Sequence, residues 1–133
     1  MLCVPPAYVP ELWPHARPLI ARAFMAVAGD DTIESTEAAL RSGEELLWIV
    51  WGDGRIMTAA TTVLIRVPRA KICLVKAAAG AGMGQWMKFM AKIEEYARAE
   101  GCDLIRVAGR RGWARVLPDF EQPWIVLQKS LGS

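Results

Sequence analysis

Histidine is almost missing from this sequence: His15 is the only one, and Cys3, Cys73 and Cys102 are the only cysteines. With one imidazole, early in the chain, no Cys/His catalytic pair is suggested. The cysteines lack the spacing of a metal site, so no metal is expected. An odd, unpatterned count suits a reducing compartment better than a disulfide framework. Charge of one sign is also scarce. The formal net charge is +2, without the concentrated basic stripe of a nucleic-acid binder, so nucleic acid is not an expected partner. No apolar run reaches the length of a membrane span, and Met1 to Pro10 lacks the basic-then-apolar layout of a signal peptide. The expectation is a cytoplasmic protein with no membrane attachment.

What is present is a foldable core. Hydrophobic residues make up 53% of the 133 positions, which excludes a disordered chain. The length fits one domain, 1–133, and a chain of this size buries roughly two-thirds of its unfolded surface. Six tryptophans are a heavy load, and because Trp is rarely buried completely, some rings are expected at a cleft or an interface.

The pattern predicts an α/β (α+β) arrangement. Pro5, Pro6 and Pro10 keep the start extended or turned. Glu11 to Met25 reads as a helix with Leu12, Leu19, Ile20, Ala23 and Phe24 on its apolar stripe; Pro14 fits its first turn and Pro18 is a kink point. Asp31 and Glu34 have the spacing of a capping box for a second, short helix that Gly43 stops. Leu46 to Trp51 is a strand, apolar enough to be covered on both sides by helices or a partner subunit. Gly52-Asp53-Gly54 is hairpin-turn chemistry. Arg55 to Val67 and Lys71 to Lys76 follow as antiparallel strands, the first with Met57, Ala59, Thr61, Val63, Ile65 and Val67 on one face. A Gly-rich turn, Ala77 to Gly84, leads into a helix from Gln85 to Glu100. There Trp86, Phe89, Met90, Ile93, Tyr96 and Ala97 recur at three and four, and Glu94 and Arg98 are spaced to pair. Leu104 to Val107 is a fourth strand, Gly109-Arg110-Arg111-Gly112 a break, Trp113 to Leu117 one or two helical turns, and Trp124 to Gln128 a last strand.

Gly80, Gly82 and Gly84 lie between a strand and a helix. Such a turn exposes unpaired N–H groups at the positive end of a helix dipole, where phosphate binds and where a side chain would hold it off. The turn is not a Walker loop, because Gln85 and Trp86 follow Gly84 in place of Lys and Ser/Thr. Nor is it a Rossmann fingerprint, because the third glycine is missing and the strand before it follows an antiparallel meander.

Strand, glycine turn, helix and strand after a meander resemble the GNAT acyltransferase family. That family writes its pyrophosphate turn Gln/Arg-x-x-Gly-x-Gly/Ala, and Gly82-Met83-Gly84 matches its second half, while Ala79 stands where Gln or Arg is usual. The resemblance implies a mixed, mostly antiparallel sheet flanked by helices. It implies acetyl-CoA or CoA bound by Lys76, Ala77, Gly80, Ala81, Gly82, Met83 and Gly84. Residues 97–102 and 109–117, with Leu47-Trp48 and the Gly-x-Gly hairpin, also look like small GNAT-like proteins of tailed phages and prophages, most of which lack an assigned activity.

Amine acetylation needs a base, a donor to the thioester oxygen and an acid for the leaving thiolate. Backbone near Lys76 and Ala77 offers the donor. The strands Lys71 to Lys76 and Leu104 to Val107 hold no carboxylate, so Asp53, Glu34 and Glu37 are the nearest bases in sequence, and such residues are more often surface charges. In the family pattern Asn-x-x-Ala-x-x-x-Tyr, Ala114 matches the Ala, but Arg111 replaces Asn and Pro118 replaces Tyr. Tyr96 and Cys73 read as core residues. Arg110, Arg111 and Arg115 around Trp113 read first as a solvated loop with one aromatic anchor, and otherwise as an anion site. Two functions follow. The departures favour a phage-type binding or assembly module, with a protein partner or homodimer and little or no catalysis. The alternative is an acetyl-CoA-dependent N-acetyltransferase acting on an amine.

Overall fold

A computed structural model of the chain describes residues 2–26, 31–80, 83–108, 117–124 and 126–132. Strands β1 (Leu2–Val4), β2 (Glu45–Gly52), β3 (Arg55–Val67), β4 (Ala70–Gly80) and β5 (Leu104–Val107) form one sheet in that order. The pairs β1–β2, β2–β3 and β3–β4 are antiparallel, and β4–β5 is parallel. Helices α1 (Val9–Ala26) and α2 (Ile33–Ser42) precede β2, and α3 (Met83–Ala99) connects β4 to β5. The expected α/β class, with a mostly antiparallel sheet and flanking helices, is what the chain adopts.

Period-two alternation divides the core between the faces. Val4, Leu47, Ile49, Ile56, Ala59 and Ala77 pack with Val9, Trp13, Ala16 and Ile20 of α1 and Leu40 of α2. Trp48, Ala60, Cys73 and Val75 pack on the other face with Trp86, Phe89, Met90, Ile93 and Ala97 of α3, the stripe read from the sequence. Ile20, Leu40, Leu47, Ile49, Met90 and Ile93 are fully buried, each contributing about 2–3 kcal/mol of transfer free energy. Trp48 Nε1 donates to Thr62 Oγ1 at 2.9 Å, so its polar edge is satisfied inside the core. Trp51 departs from the expectation of a strand covered on both sides: it is 48% exposed, beyond an irregularity between Val50 and Trp51.

Helix α1 continues through both Pro14 and Pro18. Pro10, Pro14 and Pro18 are spaced by four and all exposed. The carbonyls of Pro10 and Pro14, deprived of their i+4 donors, therefore lie on the wet side. The capping box of α2 sits one residue later than expected. Thr32 accepts from Ser35 N–H at 3.0 Å and Ser35 Oγ accepts from Thr32 N–H at 3.0 Å, which leaves Asp31 free for another partner. Gly43 (φ 83°) ends α2 as read, and Asp53 (φ 52°) with Gly54 (φ 73°) closes the β2–β3 hairpin. On α3 the ion pair is Lys92–Glu95 at 3.8 Å and not Glu94–Arg98.

Two further expectations need correction. The strand before the glycine turn does not stop at Lys76. It runs to Gly80, so residues 77–80 are ladder and not loop. Trp124–Gln128 forms no strand: the described residues 124 and 126–128 are irregular and exposed. Strands exist by pairing, and Pro123 cannot donate to a ladder. Trp124 meets β5 through a side chain instead, its ring 4.4 Å from the Arg106 guanidinium.

Gly80 has φ 150°, and a Cβ there would fall 2.5 Å from Met57 O and 2.6 Å from Thr58 Cα. Both are backbone atoms of the paired strand, so neither yields cheaply. Gly80→Ala is expected to lower stability by about 2–4 kcal/mol, from steric overlap and backbone strain together. Urea unfolding of the two proteins measures it, and a difference under about 0.5 kcal/mol contradicts the close approach.

Candidate active site

The β3–β4 ladder has one irregularity. Thr62 pairs with Val75 and Thr61 with Ala77, so Lys76 is an extra residue on β4. A bulge of this kind shifts the alternation and adds local twist. Upstream of it, Cys73 and Val75 face α3; downstream, Ala77 faces α1 and α2. The ladder between β4 and β5 ends at the same level, with Val75 opposite Val107 and Ala108 N–H donating to Val75 O at 3.2 Å. Residues 76–80 of β4 then run on past the last β5 pair towards α3. At the start of α3 the backbone N–H groups of Met83 and Gly84 have no intrahelical acceptor.

Lys76 carries its ammonium to two carboxylates. Nζ lies 2.8 Å from Glu45 Oε2 and 2.9 Å from Asp31 Oδ1. Glu45 opens β2, two residues before Leu47, and so shares the face covered by α1 and α2. It is only 5% exposed. Its other oxygen, Oε1, is buried without a hydrogen-bond partner, and so is Thr61 Oγ1. Thr61 sits between Leu47 and Ala77 across the ladders, on that same face. Burial pushes the Glu45 carboxyl above its ordinary range; the hydrogen bond and charge of Lys76 pull it down by less, and Asp31 and Glu44 add to the rise. For Lys76, burial favours loss of the proton, but hydrogen bonds and charges from Glu45 and Asp31 outweigh it, and its pKa ends above the usual lysine value.

The sequence-predicted residues meet different fates. Lys76 and Ala77 are at the bulge. Gly80 ends β4, where a Cβ would meet the backbone of Met57 and Thr58. Met83 and Gly84 begin α3. Ala81, Gly82, Arg110, Arg111 and Arg115 lie outside the described residues, as does most of the short helix expected at 113–117. Asp53 is in the hairpin turn, Glu34 is exposed, and Glu37 pairs with Arg41 at 2.9 Å. None of these three carboxylates joins Lys76; Glu45 and Asp31 do. The signal for Glu45 was in its spacing, since alternation from Leu47 and Ile49 puts position 45 on a buried face.

Cys73 is fully buried, and burial, with Cys102 adding, pushes its thiol up to about 12. It is a core residue, as read. Tyr96 packs edge-on to Trp48 at 5.3 Å, and its phenol is likewise pushed up to about 12, chiefly by burial. Among the described residues no three His, Cys, Asp or Glu side chains gather as a metal site, and no helix is long and apolar enough to cross a membrane.

Two measurements follow. Cys73 should resist a thiol reagent at pH 8 in the folded protein and react only on unfolding; labelling as fast as a free thiol contradicts its burial. A carboxyl with a raised folded-state pKa binds its proton more tightly folded than unfolded. Its contribution is therefore fully present below the unfolded value and lost as pH rises through the folded one. Wild type should gain stability relative to Glu45→Gln as pH falls from 7 towards 4.5, with Lys76, Asp31 and Glu44 as the facing charges. A pH-independent difference in melting temperature contradicts the raised pKa.

No protein-family model matches the chain, and no curated protein matches it in sequence. Solved structures do match. A predicted acetyltransferase of Clostridium acetobutylicum, solved with acetyl-CoA, superposes with TM-score 0.70 at 13% identity, covering 96% of this chain and 94% of that one. An aminoglycoside acetyltransferase from an uncultured soil metagenomic sample, in complex with sisomicin, gives 0.69 at 12% identity, covering 98% and 95%. A ribosomal-protein-alanine N-acetyltransferase of Brucella melitensis biovar Abortus gives 0.69 at 13% identity, covering 98% of each chain. None of these structures shows the expected likeness to phage proteins. Bulged β4, its departure from β5 and the β4–α3–β5 crossover thus belong to a chain with the GNAT acetyltransferase fold.

Proposed function

We propose that the chain is an acetyl-CoA-dependent N-acetyltransferase acting on an amine. The observation that carries the reading is β4 itself: bulged at Lys76, continuing to Gly80 past the end of β5, and leading into α3. Its backbone from Lys76 to Gly80, beyond the last described β5 pair, suits the amides of a pantetheine arm, and the first amides of α3 suit a pyrophosphate. The donor set is therefore of the right chemistry for acetyl-CoA, which as co-substrate supplies an acetyl group activated as a thioester. The backbone at Lys76 and Ala77 would polarise the thioester oxygen. A solved neighbour of the same fold with acetyl-CoA bound supports the choice of donor. Three free thiols support a reducing compartment such as the cytoplasm.

This reading replaces the non-catalytic module as the better one. That module was favoured by Ala79 in place of Gln or Arg, Pro118 in place of Tyr and neighbouring strands without a carboxylate, whereas the solved neighbours of the same fold are acetyltransferases. Titration calorimetry with acetyl-CoA tests the reading. Saturable binding of one equivalent at micromolar concentration is the expected result. A folded sample that gives no heat at high micromolar acetyl-CoA overturns it and returns the chain to a scaffold role.

A further inference from the structure

We propose that two copies of this chain pair by exchange: residues 126–131 of each lie as an added strand along the outer edge of β5 in the other. The inference is independent of the acetyltransferase reading and stands whether or not the chain binds acetyl-CoA.

β5 is last in the sheet, and among the described residues no strand pairs with its outer side. Ala108 N–H donates inward to Val75 O at 3.2 Å. Alternation along β5 therefore turns the N–H and C=O groups of Ile105 and Val107 outward. A strand edge of this kind is a template for another strand. Apolar side chains collect around it. Among the described residues, half of the exposed large apolar side chains are Leu104 of β5 and Trp124, Val126, Leu127 and Leu131 beyond it. Val126, Leu127 and Leu131 are 77%, 85% and 96% exposed. One exposed Leu is ordinary, but such a group in one short segment marks an interaction surface.

The tail is not placed to fill its own edge. Leu117 is buried with α3, and Phe120 packs against the same cluster. Ile105 and Val107 belong to that face too, so Arg106 points to the opposite one. Trp124 lies over the Arg106 guanidinium. The tail therefore passes from one face of the sheet to the other between Phe120 and Trp124. Pro123, in that passage, has no N–H for a ladder. Residues 126–131, which follow, are exposed along their whole length.

A second copy is the occupant because one chain carries both halves of the contact. Each has one open edge and one exposed apolar segment, and reciprocal exchange covers both and closes as a two-fold dimer. A foreign strand would cover the edge and leave the tail in water. Six extended residues reach about 20 Å, enough to run the length of a four-residue strand. The exchange covers on the order of 600 Å² of apolar surface per copy, or roughly 1,200 Å² in all, the size at which specific interfaces begin.

Sedimentation velocity of the full chain from about 1 to about 100 μM, with amide exchange followed by NMR, tests the exchange. Wild type is expected to be a dimer at the upper concentrations, with slow amide exchange at Ile105, Val107 and within 126–131. Leu127→Lys is expected to weaken dimerisation by about tenfold or more and to free the tail amides. Leu127 is almost fully exposed, so the variant keeps its fold. A wild-type monomer throughout the range overturns the proposal, and slow exchange of the tail in that monomer would place it on its own β5. A dimer that Leu127→Lys weakens by less than about tenfold overturns it too, as does one whose 126–131 amides exchange as freely as in an unfolded chain, because its interface then lies elsewhere.

Discussion

One extra residue in β4 is the constraint on which the rest of the site depends. In a regular strand Cys73, Val75 and Ala77 would all face α3, and Lys76 would hold a place in the β3 ladder. The bulge sends Ala77 to the opposite face and drops Lys76 out of register. Bulged strands twist more strongly, and pairing with β5 ends one residue before the bulge. The irregularity thus puts Ala77 on the same face as Lys76, whose ammonium meets Glu45 and Asp31 there. Gly80 completes the arrangement by letting the far end of β4 lie against the backbone of Met57 and Thr58.

Stability alone does not account for the charged cluster. A largely buried Lys–Glu pair gives back in attraction about what desolvation removes, and apolar residues of similar volume often do as well or better. Here the balance is poorer than usual, because Glu45 keeps one oxygen without a partner and Thr61 keeps its hydroxyl without one. A fold under pressure for packing alone would carry Leu or Met at these positions, as it does at Leu47 and Met90 on either face. The cost is concentrated beside the bulge.

Much of this architecture was legible in the sequence because its signals are local. The apolar stripe of α3, the Asp53-Gly54 turn, the limits of β3 and the stop at Gly43 each follow from a few adjacent residues. What was not legible depended on partners far along the chain. Asp31-Glu34 and Thr32-Ser35 both have capping spacing, and the choice fell to Thr32, with Asp31 drawn to Lys76 on β4. Gly80 read as turn because its reason for being glycine is backbone 22 residues earlier, at Thr58. Trp124 to Gln128 has strand composition, but composition does not supply a partner strand. Glu45 reads in the sequence only as a buried strand position, because it lies two strands from β4 and is reached through the long side chain of Lys76.

The departures from the acyltransferase motifs weigh less once magnitudes are attached. Pro118 stands where a tyrosine would protonate the thiolate, and Tyr96 is committed to Trp48. A thiol loses its proton near pH 8.5, so releasing a thiolate unprotonated at pH 7 costs only about 2 kcal/mol. An alkylammonium titrates near 10.4, and stripping its proton at pH 7 costs roughly 4–5 kcal/mol. Removing the proton from the amine therefore carries the larger share of the cost. Ala79 in place of Gln or Arg is equally mild. The position is a ladder residue opposite Ala59, and the first amides of α3 offer their donors whatever side chain stands there. Neither departure touches the backbone amides at Lys76 and Ala77 or at the start of α3, on which donor binding would rest.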